Sequence, residues 1–332
     1  MKNANKVSRS FQHMILLCGC LLIYYSVSAR QHKPTESGYI AQKTQGIDSD
    51  YVLIFNSYSE SAPWCRSLVD STVMDLIKLS PQTMTVTQNL NSGLLRDEKA
   101  LAQLRQQVDV SYHDKPRMII YIGSTSWPFL HETIEKKWGK VPSIIFSDID
   151  YTGPITNLLR KTPIAPALRI PYDKIVKEYE GALSVVYMPI YLRQSLALMH
   201  QLTPPMTELC FISDTRWISA QMRADMAAIT KTDFPELKVR YLISADMSTL
   251  DLLDSLQHYG QETGVLFFSW LKQSQVGDSF VNDSHFRIII SKSARQPLFV
   301  LNDNEVNTDS DVLGGYFPTR AAVSHHVRLA LE

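Results

Sequence analysis

Residues 51–64, YVLIFNSYSESAPW, run apolar for five positions and then break into small polar residues and aromatics. An apolar run of that length, closed by turn-forming residues, reads as a strand covered on both faces, the situation of strands in parallel sheets. Eight more runs of the same kind follow: TMTVT (83–87), RMIIYI (117–122), SIIF (143–146), LSVVY (183–187), ELCFIS (208–213), KVRYLI (238–243), GVLFFS (264–269) and PLFVL (297–301). Amphipathic segments of helix length separate them. The alternation predicts an α/β protein with largely parallel sheets and crossover helices. Nine strands are many for one sheet, so two lobes are expected. The segment 151–171 carries four prolines and little periodicity, which places the crossing there. The expected division is a first lobe over 50–170, a second over 171–296, and a return to the first over 297–332.

Ligands of open parallel sheets gather beyond the carboxyl ends of the strands. Here those ends read Asn56-Ser57-Tyr58, with Trp64 soon after, then Ser124-Thr125-Ser126-Trp127, Ser147-Asp148, Ser213-Asp214 with Trp217, Ser269-Trp270, and Asn302-Asp303. Hydroxyls, amides and carboxylates beside aromatic rings are what a cleft needs to orient a small polar molecule and cover its flat or apolar part. The candidate ligand-binding residues are therefore Asn56, Ser57, Tyr58, Trp64, Ser124, Ser126, Trp127, Asp148, Ser213, Asp214, Trp217, Ser269, Trp270 and Asp303. Each one singly also suits a structural role, the Ser, Asp and Asn as helix N-caps and the Trp as packing residues.

Before the first strand lie 50 residues of different character. Lys2, Lys6 and Arg9 precede an apolar stretch from Met14 to Val27, and Val27-Ser28-Ala29 offers small or compact residues at a cleavage position. Residues 1–29 are expected to be a signal peptide or an N-terminal membrane anchor, and the polar, unperiodic residues 30–49 a linker. Leu17-Cys18-Gly19-Cys20 has the outline of a lipoprotein box, but apolar residues continue beyond Cys20. The expected location is periplasmic, tethered to the inner membrane.

Composition excludes other classes. The chain is 45% apolar and 20% charged, ordinary for a globular protein, and its 33 Lys plus Arg equal its 33 Asp plus Glu. With no basic excess, nucleic acid is not expected as a partner. Cys65 and Cys210 are the cysteines outside the leader; a disulfide between them is open, but ELCFIS suits a buried core thiol. Nothing has zinc-ligand spacing, and no metal or cofactor is expected.

NSYSESAPW, the helix after it, the IGSTSW turn and VLGGYFPTRAAVSHHVRLAL together resemble the substrate-binding-protein-like sensor domains of bacterial membrane-bound signalling proteins. These are similar to ABC-transporter solute-binding proteins with the type 1 periplasmic binding fold and often precede a histidine kinase. The resemblance covers most of residues 50–332. It implies two Rossmann-like lobes joined by a hinge, closing on a small-molecule ligand, with no catalytic residue. The commoner HSY form of the first turn has Asn56 here in place of its histidine. The closing segment, 319–332, is helical in pattern and ends without a terminator, so the chain looks truncated, with a spanning helix and an output domain expected beyond it. A homodimer is left open. His325-His326 point to different sides of such a helix and are expected at the surface.

A competing reading is enzymatic. SIIFSDIDYTG (143–153) places Asp148-x-Asp150-x-Thr152 after an apolar strand, which resembles the first motif of haloacid-dehalogenase-type phosphatases, in which the first aspartate attacks phosphorus beside Mg²⁺. Ser213 and an acidic pair, Asp309 and Asp311, are candidates for its later motifs, but three strands precede a motif that normally opens that domain, and no lysine is well placed between them. No Gly-x-Ser-x-Gly elbow occurs.

Overall fold

The computed structural model describes residues 51–59, 63–203, 206–273, 280–281, 286–302, 311–318 and 328–331. The leader, the linker, Asp303, Asp309 and His325-His326 lie outside them.

The first sheet is built from β1 (Tyr51–Asn56), β2 (Met84–Asn89), β3 (Met118–Ile122), β4 (Ser143–Ser147) and β5 (Leu183–Tyr187), and the second from β6 (Glu208–Ser213), β7 (Lys238–Ile243), β8 (Thr263–Phe267), β9 (Leu298–Val300) and β10 (Val312–Gly314). The spatial order is β2-β1-β3-β4-β5 in one and β7-β6-β8-β9-β10 in the other, the same winding twice. Every neighbouring pair is parallel. All nine expected strands are present; β10, too short and mixed to stand out in the sequence, adds a tenth.

The helices between them are α1 (Pro63–Leu79), α2 (Glu98–Ser111), α3 (Ser126–Trp138), α4 (Ile155–Arg160), α5 (Tyr172–Glu178), α6 (Leu192–Leu202), α7 (Trp217–Asp233), α8 (Thr249–His258) and α9 (Phe286–Ser293). Local chemistry sets several of their starts. Asp97 caps α2 by accepting from the Ala100 N–H at 2.8 Å, and the helix buries Leu101, Leu104 and Val108, one face at helical spacing. Ser248 and Asp251 form a reciprocal capping box at α8.

Burial follows the period of two. Tyr51, Leu53 and Phe55 of β1 face one apolar cluster, and Val52 and Ile54 face another with Leu68 and Leu76 of α1. In β6, Leu209 and Phe211 face the first cluster, while Cys210 and Ile212 face a third under α8 and α9. The first cluster thus runs through both lobes, carried across by Ile149, Leu158, Ile164, Leu192 and Trp217. Cys65 and Cys210 are both free and buried.

The expected lobe limits need correction. LSVVY, assigned to the second lobe, pairs with β4 and completes the first sheet, so the crossing comes after Tyr187 rather than near Pro171. PLFVL pairs with β8 and does not return to the first lobe. The return comes at Ala330 and Leu331, which pack against the cluster of Val52, Ile54, Leu68 and Leu76. An apolar run states that a strand exists but not which parallel neighbour will take it, because that choice depends on contacts distant in sequence. The prolines of 151–171 shape an excursion of the first lobe: residues 151–152 pair with 170–171 in a short antiparallel ladder, and α4 packs on α7 of the second lobe.

Candidate functional site

Each sheet reverses its winding once, between β1 and β3 in the first and between β6 and β8 in the second. At such a switch the crossover helices leave on opposite faces and open a crevice at the strand ends. In the first lobe the crevice is tightly built. Asn56 ends β1 and donates through Nδ2 to Asn89 Oδ1 at 2.8 Å, while its own Oδ1 accepts from the Tyr58 N–H. Ser57 Oγ accepts from the Ser126 N–H at 2.9 Å, capping α3 from a neighbouring strand, and the Ser57 carbonyl takes both the N–H and the hydroxyl of Ser92. Gly123 has φ +88°, and a Cβ there would stand 2.6 Å from the Tyr58 ring. The glycine therefore allows Tyr58 to fold over the β3 end.

Tyr58 then reaches Asp148, donating its hydroxyl to Oδ2 at 3.0 Å, with Ser124 Oγ at 3.5 Å from the same oxygen. Burial pushes the Asp148 carboxyl up to about 6, against the Tyr58 hydrogen bond, the Arg216 charge and the Ser124 hydroxyl. The Tyr58 phenol is raised as well, by burial and then by the Asp148 charge.

The second lobe meets it with a carboxylate of opposite behaviour. Asp214 follows Ser213 at the end of β6 and is fully buried. Its Oδ1 accepts from the Arg216 N–H at 2.9 Å and the Ser219 hydroxyl at 2.6 Å; its Oδ2 accepts from Arg216 Nε at 2.9 Å and the Ser269 hydroxyl at 2.8 Å. Burial alone would raise this carboxyl, but the Arg216 guanidinium and the hydrogen bonds outweigh it and hold the carboxyl below its usual range. Arg216 also lies over the Tyr58 ring, 5.4 Å from its centroid, so the two lobes touch through a cation–π contact. Further bridges run from the excursion to α7: the Ile164 N–H donates to Gln221 Oε1 at 2.8 Å, and Arg169 pairs with Asp225 at 2.9 Å.

Between these groups lies a small pocket of about 30 Å³, partly open to solvent, lined by both lobes. Of the sequence candidates, Tyr58, Ser124 and Trp217 line it, Asp148 and Asp214 stand directly behind the lining residues Tyr58 and Arg216, and Ser269 bonds Asp214 from behind. The others are engaged in the fold. Asn56 and Ser57 hold the turn as described, and Ser126 Oγ donates to the Ile122 and Gly123 carbonyls. Trp127 stacks on His131 at 4.0 Å, Ser213 accepts from Arg223, and Trp270 packs in the second-lobe core with its Nε1 donating to Thr249. Trp64 begins α1, but its side chain, like Asp303, lies outside the described residues.

Reading the sequence by strand ends missed Arg216, Lys161 and Leu158, all of which line the pocket. The Asp-x-Arg spacing of 214–216 was the legible signal for the first; Lys161 sits at the end of a short helix and had none. For the phosphatase motif, Asp148 is buried whereas Asp150 is exposed, so the two carboxylates do not share one environment. Among the described residues no cluster of three or more His, Cys, Asp and Glu side chains could hold a metal ion, and no helix is long and apolar enough to cross a membrane.

No protein-family model matches the chain. No curated protein matches it in sequence. Solved structures do. An ABC-transporter solute-binding protein from Agrobacterium vitis with bound allitol superposes with TM-score 0.50 at 10% identity, covering 86% of this chain and 88% of that one. An ABC sugar transporter subunit from Rhodobacter sphaeroides gives 0.49 at 12% identity over 84% and 89%. The binding component of an arabinose ABC transporter from Shewanella, bound to L-arabinofuranose, gives 0.48 at 12% over 85% of each chain. With its two parallel sheets of identical winding, the chain has the fold of the type 1 periplasmic binding proteins.

Proposed function

We propose that this chain is an extracytoplasmic binding module that holds one small polar molecule between its lobes, as the solute-binding proteins of ABC transporters do. The observation that carries the reading is the shared pocket: Tyr58 and Ser124 at the first lobe's switch point face Arg216 and Trp217 at the second's. Hydroxyls, a guanidinium and an indole around a partly enclosed space suit a compact polar ligand, and closure of two lobes on it would supply the affinity. No reaction is assigned to the site, since Asp148 is committed to Tyr58 and lacks the second buried carboxylate that phosphoryl transfer would ask of this motif. The resemblance of NSYSESAPW and IGSTSW to sensor domains gives a second reading, the input module of a membrane-bound histidine kinase. The solute-binding reading is placed first because the Agrobacterium vitis structure that shares the fold is named as an ABC-transporter solute-binding protein.

The test is a thermal-shift screen of the full chain against sugars, polyols, amino acids, carboxylates and phosphomonoesters, followed by titration calorimetry. A single-site ligand is expected; a chain that no such molecule stabilises would overturn the reading. Once a ligand is known, deletion of the gene separates the two versions. Loss of uptake marks a transport component, and loss of a transcriptional response with uptake intact marks a sensor.

A further inference from the structure

The proline-rich excursion of the first lobe is fastened to α7 of the second by a closed ring of hydrogen bonds. The Ile164 N–H donates to Gln221 Oε1 at 2.8 Å, and Gln221 Nε2 donates to Asp225 Oδ1 at 3.0 Å. The same Asp225 oxygen accepts from Arg169 at 2.9 Å, and Arg169 Nε donates back to the Ile164 carbonyl at 3.3 Å. Two residues of each lobe complete the cycle. Ile164 and Gln221 are both buried, so at that end the bonds form away from water, where a donor left unpaired is costly.

The excursion holds its own shape as well. Its ends pair in the short ladder of 151–152 with 170–171, and the Arg169 guanidinium lies 4.4 Å from the centre of the Tyr151 ring. Gly153 makes room for Ile164, whose Cδ1 would stand 2.8 Å from a Cβ at that position. Pro154, Pro163, Pro166 and Pro171 fix backbone angles along it. A segment stiffened in this way loses little conformational entropy when it is fastened.

On α7, Trp217, Gln221 and Asp225 follow one another at four-residue spacing and share one face. Trp217 lines the pocket, and the next two hold the ring. From the other side Leu158 and Lys161 of the excursion line the same pocket. The space enclosed, about 30 Å³, has room for roughly two water-sized groups. A larger molecule enters only when the excursion and α7 part.

The geometry points to the 151–171 excursion as a strap that keeps the lobes together without a ligand, the Ile164–Gln221–Asp225–Arg169 ring being its fastening. Opening of the ring then sets how readily the pocket is exposed. That consequence for ligand exchange rests on the cleft being the binding site; the strap itself does not.

The experiment compares the full chain with Asp225→Ala and Arg169→Gln, one from each lobe, by hydrogen exchange and small-angle scattering in the absence of any ligand. Both substitutions leave the Ile164 N–H and its Gln221 acceptor in place. Each should nevertheless speed exchange of the Ile164 amide on the order of tenfold or more and enlarge the radius of gyration, while amides of β1 and β6 keep the parent's rates. The double variant should exceed neither single variant by much, because both break one ring. An unchanged Ile164 rate in both variants, or an unchanged radius of gyration, would overturn the inference. Exchange that rises equally in β1 and β6 would overturn it too, since the ring would then serve folding as a whole. None of these readouts uses a ligand, so their failure is separate from failure of the ligand screen.

Discussion

Ser147-Asp148 and Ser213-Asp214 are the same dipeptide at the carboxyl end of an inner strand, β4 in the first sheet and β6 in the second. Both aspartates are buried, yet one titrates near 6 and the other is held below the usual range. The difference lies in what each lobe's next turn supplies. After Asp214 the chain brings Arg216 and Ser219, and β8 brings Ser269, so four donors surround a carboxylate that stays charged. After Asp148 it brings no cation of its own, and two neutral hydroxyls from other loops are the partners. Burial sets the cost of a charge, and local partners decide whether the cost is met. One lobe thus presents a fixed ion pair, and the other a carboxylate poised to change state in mildly acidic solution.

The sharpest way to break this contrast is to neutralise each aspartate. Asp214→Asn leaves the Arg216 guanidinium, whose side chain is 16% exposed, without its charge partner. The expected loss is about 3–5 kcal/mol in urea unfolding; a loss below about 1 kcal/mol would mean the pair is not what holds the turn. Asp148→Asn should act in the opposite direction. Because its folded value lies above the 3.8 of a free aspartate, the folded state holds the proton more tightly, and stability falls as pH rises from about 4 to about 6, then stays low. The substitution keeps an acceptor for Tyr58 and removes the penalty, so it should flatten that decline and gain up to roughly 3 kcal/mol above pH 6. Melting curves from pH 4 to pH 8 check the sign. Asp214 contributes nothing to this window: its stabilisation is full above 3.8 and is lost only as pH falls below it.

A smaller effect tests how tightly the first lobe's crevice is built. Gly123→Ala sets a methyl against the Tyr58 ring at a φ that L residues avoid, and should cost about 2 kcal/mol, with Tyr58 displaced from Asp148. If so, the acid-range titration of Asp148 should shift along with stability. Smaller again is Ser57→Ala, which removes the acceptor for the Ser126 N–H at the start of α3 and should cost about 1 kcal/mol of stability. Binding should be spared, since the Ser57 hydroxyl serves α3; a loss of affinity at unchanged stability would return Ser57 to the site.

The class of fold was legible because parallel strands buried on both faces leave unbroken apolar runs, and YVLIF, RMIIYI and ELCFIS are such runs. The ends of those strands were legible for the same reason, since polarity switches abruptly where the sheet stops. The lobe limits were not, because nothing within LSVVY distinguishes a partner in β4 from one elsewhere. Among the strand-end residues the sequence could not separate Ser57, which caps a helix, from Ser124, which lines the pocket; that distinction depends on which N–H or carboxylate a distant strand brings near. Lys161 was hidden for a different reason: its place in the pocket comes from the fold of a proline-rich excursion that has no periodicity to read.

The account's central claim is that one ligand is held by both lobes. Titration of the ligand found by screening against Tyr58→Phe, from the first lobe, and Trp217→Phe, from the second, tests it most directly. Both substitutions should weaken the same ligand, by roughly five- to fiftyfold each, at a temperature where both variants remain folded. A ligand whose affinity responds to one lobe alone, or to neither, would contradict the claim and place the binding site outside this cleft.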